Sequence, residues 1–486
     1  MTLSVIRKSI ASTVFKPLQA LSYRIGNRLM LTTAIVIIAA LIIDTAFQKI
    51  SDLLGMQSST ADANVMLFII ISVVAYGIGQ YLILSFVLRR NKRIISATDK
   101  ISIRKDRFIL THRLVYVSQY ILTALLVSVI LLMLLKSYYY TNQLILSTII
   151  SYALSIFLLL LISNRFFSWY RSNKNSVVLS YGFASAALSL NLALAVTFMI
   201  SALLNQTIQI MPHFGTSFTS FDPSSPMGVV YSSYVISGII SFLSMWISTA
   251  LLLRHHSRKL GTAKFWVMVV IPLVYFLTPF VPSFLGQIAS PLVRSDPISA
   301  GISFTLIFAI SKPAGGILFG VAFWTVARAV RESSVVKYYM IMSALGVVLL
   351  FVSTQGSVIA AYYPPFGLIS VSYVGLSAFM MVIGLYSSAM SVSQDDKLRK
   401  TIRKNAMEES KLLESIGTAQ MGQEIESKVM QIERKVMEMA KEDADELEVD
   451  TGVKPSLEEP DMKKYLEEVM HEVSVSIKSK QSRPST

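Results

Sequence analysis

Ser393-Gln-Asp-Asp-Lys-Leu-Arg-Lys-Thr-Ile-Arg-Lys404 divides the chain into two chemistries. Before it lie repeated, nearly uninterrupted apolar blocks; after it glutamate, lysine and methionine alternate as on a solvated helix. With 53% hydrophobic and 15% charged residues, the 486-residue chain falls in the membrane class, as does its mean hydropathy of +0.57. The charge is divided at the same place. Residues 1–390 carry 28 Lys+Arg against 8 Asp+Glu, whereas residues 391–486 carry 16 against 21. The basic excess therefore belongs to the membrane part, where it marks loops beside the anionic headgroups of the inner face and not a nucleic-acid surface.

Taking about 20 apolar residues as the length that crosses the hydrocarbon core, the sequence predicts an all-α, polytopic helical bundle of about ten spans. They are 30–47, 65–88, 114–135, 144–162, 177–204, 229–253, 265–285, 300–327, 338–354 and 367–390. With the N-terminus inside, the inner segments hold 24 Lys+Arg and the outer loops only 3. This contrast, not used in choosing the spans, predicts a multi-pass cell-membrane protein with both termini cytoplasmic.

Ahead of the first span, residues 1–29 form a basic leader. Leu3, Ile6, Ile10, Val14, Leu18, Leu21 and Ile25 recur at spacings of three and four between cations, which predicts an interfacial amphipathic helix bent near Pro17. The inner loop 89–113 is the most basic part. Its Arg89, Arg90, Lys92 and Arg93 are candidate contacts for anionic lipid headgroups, and the acidic stretch 442–450 is an alternative partner for them. The outer loops 211–228 and 361–367 are rich in Pro, Gly and aromatics, as expected of connectors at headgroup depth. Asn205-Gln-Thr207 has the acceptor pattern for N-glycosylation but starts at a span end.

The eighth span is unlike the others. Lys312 stands near its middle, followed by Pro313 and then Gly315-Gly316. A cation at that depth costs at least about 2.5–3.5 kcal/mol unless it snorkels, pairs or faces water, and Pro313 removes a backbone donor while Gly315-Gly316 loosens the next turn, so the helix is expected to kink or break. Broken helices with a polar group at mid-membrane are used by secondary transporters, which makes Lys312, Pro313, Gly315 and Gly316 candidate substrate or gating residues. The plainer reading is a structural kink with a snorkelling lysine. Gln80, Asn191 and the small residues of 182–189 read as contacts between helices.

Other chemistries find little support. The chain has no cysteine, so disulfides, thiolate ligands and cysteine nucleophiles are excluded. His255 and His256 are the only neighbouring histidines and diverge by about 100 degrees on a helix. No phosphate-binding glycine loop, HExxH or GxSxG is present. No cofactor, metal site or enzymatic activity is expected.

In the tail, residues 391–441 predict a cytoplasmic helix loosened at Gly417 and Gly422. Ile425, Val429, Ile432, Val436 and Met439 then form a seam of about two heptads. Residues 442–460 read as an acidic flexible linker. Residues 461–486 contain a last amphipathic helix with Leu466, Val469, Val473 and Ile477 on one face, then a disordered end. Both apolar faces need a partner, either a second copy of the chain or a cytosolic protein. The expectation is a non-enzymatic membrane scaffold or signal-transducing component acting through this tail; the alternative is a transporter or channel-like protein using the span around Lys312-Pro313.

Overall fold

The computed structural model describes residues 32, 35–43, 74, 76–81, 83–84, 102–136, 141–204, 225–254, 261–278, 297–329, 335–360, 367–394 and 411–451. Among these, all regular structure is helical. Short helical stretches at 35–43 and 76–81 precede nine longer helices: α1 (Ser102–Lys136), α2 (Thr141–Ser172), α3 (Ser176–Leu204), α4 (Pro226–Leu253), α5 (Thr262–Leu277), α6 (Pro297–Ala329), α7 (Val335–Ala360), α8 (Leu368–Gln394) and α9 (Lys411–Thr451). The chain divides into two compact units, 1–418 and 419–486. The bundle and the first two turns of α9 belong to the first.

Seven helices, α1 to α4 and α6 to α8, are long and apolar enough to cross a membrane. The ten spans expected from the sequence are therefore not all present among the described residues. The first two, 30–47 and 65–88, fall largely outside them. Of the seventh, the described residues hold α5, 16 residues or about 24 Å at 1.5 Å per residue, and the rest of 265–285 lies outside them.

Helix starts follow local chemistry. Ser225 accepts from the Gly228 amide at 3.0 Å while Pro226 opens α4, a cap followed by a residue whose missing N–H would have no partner there anyway. Gly261 and Gly367 precede α5 and α8 at φ of 83° and 73°, a backbone conformation that disfavours a side chain.

Side-chain distribution identifies the solvent. Val117, Tyr120, Phe183, Leu190, Ile236, Ile271 and Val274 are each more than half exposed. An outward face this apolar, on helices that are also apolar within, belongs against lipid. The inward side is marked instead by small and hydroxylated residues. α8 is the centre: 94% of its span is buried, against 28% for α1, and it packs on α7, α2 and α1.

Close backbone approach makes this centre possible. A methyl group on Gly346 of α7 would lie 2.6 Å from the Met381 amide nitrogen, and one on Gly384 of α8 would lie 2.5 Å from the Tyr339 carbonyl. On the other side of α8, the Ser151 hydroxyl donates to the Val371 carbonyl at 2.5 Å and accepts from the Gly375 amide at 3.2 Å. Lipid tails are as apolar as leucine, so such small-residue seams and interhelical hydrogen bonds supply association that burial of apolar surface does not.

Three expectations change. α6 runs as one helix through Pro313, so of the expected kink or break the break is absent; membrane helices tolerate the one amide that proline removes. α9 likewise runs through Gly417 and Gly422. The linker expected over 442–460 is helical as far as Thr451, because Glu442 to Glu448 contain strong helix formers and the first breaker is Gly452.

Candidate functional site

Tyr234, Ser237 and Ser241 recur at spacings of three and four and so share one face of α4, where all three are buried. Asn191 of α3 meets this face, donating from Nδ2 to the Tyr234 carbonyl at 3.1 Å and to Ser237 Oγ at 2.9 Å. Lys312 of α6 approaches from the other side and donates from Nζ to Tyr234 Oη at 3.1 Å. The ammonium is 5.3 Å from the ring centroid, so it meets the phenol at its oxygen and not over the ring face. Tyr234 itself stacks on Phe198 with centroids 5.6 Å apart and planes 3° apart.

Beside this pair is a cavity of about 10 Å³, room for about one water. Residues from α3, α4, α5, α6 and α7 line it, including Asn191, Ser241, Phe276, Lys312, Phe351 and Thr354. Its walls are mostly apolar: Phe242 stacks on Phe276 at 3.6 Å, and Phe319 meets Phe351 edge-on at 5.0 Å. Ser241 and Thr354 spend their hydroxyl hydrogens on Gly238 and Phe351 carbonyls of their own helices. Among the described residues, Lys312 is thus the only charged one lining this cavity, and none of the seven spans contains an Asp or Glu.

Lys312 is half-buried, and its hydrogen bond to Tyr234, with a charged donor, is worth about 1.5–3 kcal/mol. The glycines beside it have a plain role. A methyl group on Gly315 would fall on the Phe242 ring, and one on Gly316 would lie 2.8 Å from Phe351 Cβ. They admit neighbouring aromatic rings to α6, which replaces the expectation that they loosen the helix.

A second constellation joins the tail to the bundle. Asn175 caps α3 by accepting from the Val177 amide at 2.9 Å, and its Nδ2 donates to Ser415 Oγ of α9 at 2.5 Å. Leu412, Leu413 and Ile416 are fully buried, and Gly417 lies so close to the Val392 side chain that a methyl group would overlap it. The start of α9 therefore lies at the same end of the bundle as the α2–α3 turn, with Arg165 nearby on Tyr386 of α8 at 5.8 Å from its ring centroid.

A third polar cluster crosses helices. Gln80 donates to the Gln119 carbonyl at 3.3 Å, and Thr123 donates to Gln80 Oε1 at 2.7 Å. Gln119 Nε2 reaches the Ser372 carbonyl at 3.5 Å. His112 stacks on Tyr116 at 4.6 Å. No group of three His, Asp or Glu that could hold a metal occurs among the described residues.

No known protein family, curated protein or solved structure matches this chain.

Of the residues singled out in the sequence, Lys312, Pro313, Gly315 and Gly316 lie on one helix, and of these Lys312 lines the cavity. Arg89, Arg90, Lys92 and Arg93 are outside the described residues, as are Leu466, Val469, Val473 and Ile477. Ile425 is exposed on α9 and Val429 half-buried; Ile432 and Val436 belong to the same helix, their side chains outside the described set. Tyr234, Phe242 and Thr354 were not anticipated. Residues 234, 237 and 241 fall on one helical face, but Ser232, Ser233, Ser244, Ser248 and Thr249 on the same span are polar as well, so the sequence did not single Tyr234 out.

Proposed function

We propose that this chain is a non-enzymatic integral membrane scaffold or signal-transducing component that acts through its cytoplasmic tail helix. The seat of α9 carries this reading. Asn175, Ser415, the buried Leu412, Leu413 and Ile416, and the close pairing of Gly417 with Val392 hold the first two turns of α9 to the bundle. A rearrangement among the spans thereby has a physical path into the helix that bears the seam of Ile425, Val429, Ile432 and Val436. Ile425 and Met439 are exposed there, at 37% and 55%, in keeping with a face left for a second copy or a cytosolic protein.

The positive-inside contrast supports a cytoplasmic tail. The transporter reading keeps one favourable observation, the cavity shared by five helices around Lys312. It loses another, because α6 is continuous where a broken helix would expose backbone groups to a substrate.

The test is deletion of residues 405–486 in cells, followed by crosslinking and recovery of the protein with its neighbours. Membrane insertion should persist and specific partner recovery should vanish. An unchanged set of partners would refute the scaffold reading.

A further inference from the structure

We propose that α9 pairs with α9 of a second copy of this chain, parallel and in register, as a coiled coil along Ile425, Val429, Ile432, Val436 and Met439. The inference rests on the proposed function and deepens it by naming the partner of the tail. Residues 425, 429, 432, 436 and 439 recur at spacings of four and three. That is the alternation of d and a positions in a heptad, with the β-branched Val429 and Val436 at a. α9 is helical without interruption from Lys411 to Thr451, so one face carries all five positions. At both ends of this seam an apolar side chain meets solvent, Ile425 at 37% exposure and Met439 at 55%.

The flanking charges choose the occupant and its direction. In this register Glu426 and Glu433 hold e positions, and Lys428 and Lys435 hold g positions. Two parallel copies bring each g position to the e position five residues further on in the other copy, which sets Lys428 beside Glu433. Two-fold symmetry makes that contact twice. Antiparallel copies bring g to g and e to e instead. With the same apolar layers, Lys428 would then face Lys435 and Glu426 would face Glu433, like charges on both flanks.

The seam is therefore self-complementary only when both copies run the same way. Two chains inserted in one membrane with one orientation also start their tails in the same direction. Five layers make a short seam, so the association belongs to full-length chains held in a membrane and not to an isolated tail.

The experiment uses the full-length chain in membranes. Because the chain has no cysteine, a single introduced one is unique. Ile425→Cys and Met439→Cys on the seam, and Ser427→Cys and Gln431→Cys off it, are each treated with a short bismaleimide. Dimers linked at the same position should form at 425 and 439 and far less at 427 and 431. In the Ile425→Cys chain, Lys428→Glu should lower dimer formation by about fivefold, because two flanking pairs turn from attractive to repulsive. Adding Glu433→Lys exchanges the charges and should restore it. Equal crosslinking on and off the seam, undiminished crosslinking in Lys428→Glu, or no recovery in the exchanged pair overturns the proposal. Loss of cytosolic partners on deleting 405–486 without seam crosslinking overturns this pairing and leaves the scaffold reading standing.

Discussion

Two glycines five residues apart on α9 give a test in which the same chemical change acts with opposite sign. Gly→Ala in a helix interior stabilises it by about 0.8–1 kcal/mol, since alanine loses less backbone freedom on folding. At Gly422 no heavy atom lies within 4 Å of the added methyl group, so the full gain is expected. At Gly417 the methyl group would stand 2.8 Å from Val392 Cβ and closer still to one of its methyls. Valine is β-branched and stiff at χ1, so it cannot swing aside. Overpacking of this kind costs about 1–3 kcal/mol, which leaves Gly417→Ala destabilising the seat by about 0–2 kcal/mol. The two variants should therefore differ by about 1–3 kcal/mol. Amide hydrogen exchange over 411–420 reads this directly, because each 1.4 kcal/mol is a tenfold change in protection. Gly422→Ala should raise protection, and Gly417→Ala should leave it unchanged or lower it. An equal rise in both variants would show that α9 does not rest on Val392, and the proposed path from bundle to tail would fall with it.

Further outcomes follow from the packing. Gly346→Ala sets a methyl group 2.6 Å from a backbone nitrogen that cannot move aside, so the thermal midpoint in detergent should fall by an amount equivalent to about 1–3 kcal/mol. Gly77→Ala, with nothing within 4 Å, should be neutral or stabilising in the same assay. Trp246→Phe removes the 2.8 Å bond from Nε1 to the Val269 carbonyl, one of the ties between α4 and the short α5. It should cost about 0.5–1.5 kcal/mol and expose α5 to faster proteolysis. Asn191→Leu breaks two bonds to α4 and should lower thermal stability by about 1–3 kcal/mol; an unchanged midpoint would show that these bonds do not hold α3 to α4.

Much of the membrane character was legible along the chain. Blocks such as 177–204 and 229–253 announced their helices almost to the residue, because hydropathy over a window is a one-dimensional property and backbone groups in lipid must pair within the helix. Asn191 also stood out as a polar residue where only an interhelical partner could satisfy it. The glycines misled. Gly315, Gly316 and Gly417 read in isolation as weak points, whereas each marks a place where another element comes close. Nothing local to Pro313 says whether its helix breaks, because the remaining hydrogen bonds and the rings packed around it decide that.

What the sequence by itself determined was the membrane class, the apolar spans, the sign of the flanking charges and the presence of an unmatched lysine in the eighth. The tertiary structure decided which helix is central, which phenol meets Lys312, and how the tail begins against the bundle. The reason lies in the solvent. In water the buried face of a helix differs from the exposed one by its apolarity, but in a bilayer both faces are apolar. Inward faces are then told apart by small and polar residues whose partners are distant in the chain, such as Tyr234 and Lys312, or Val392 and Gly417. Only folding brings them together.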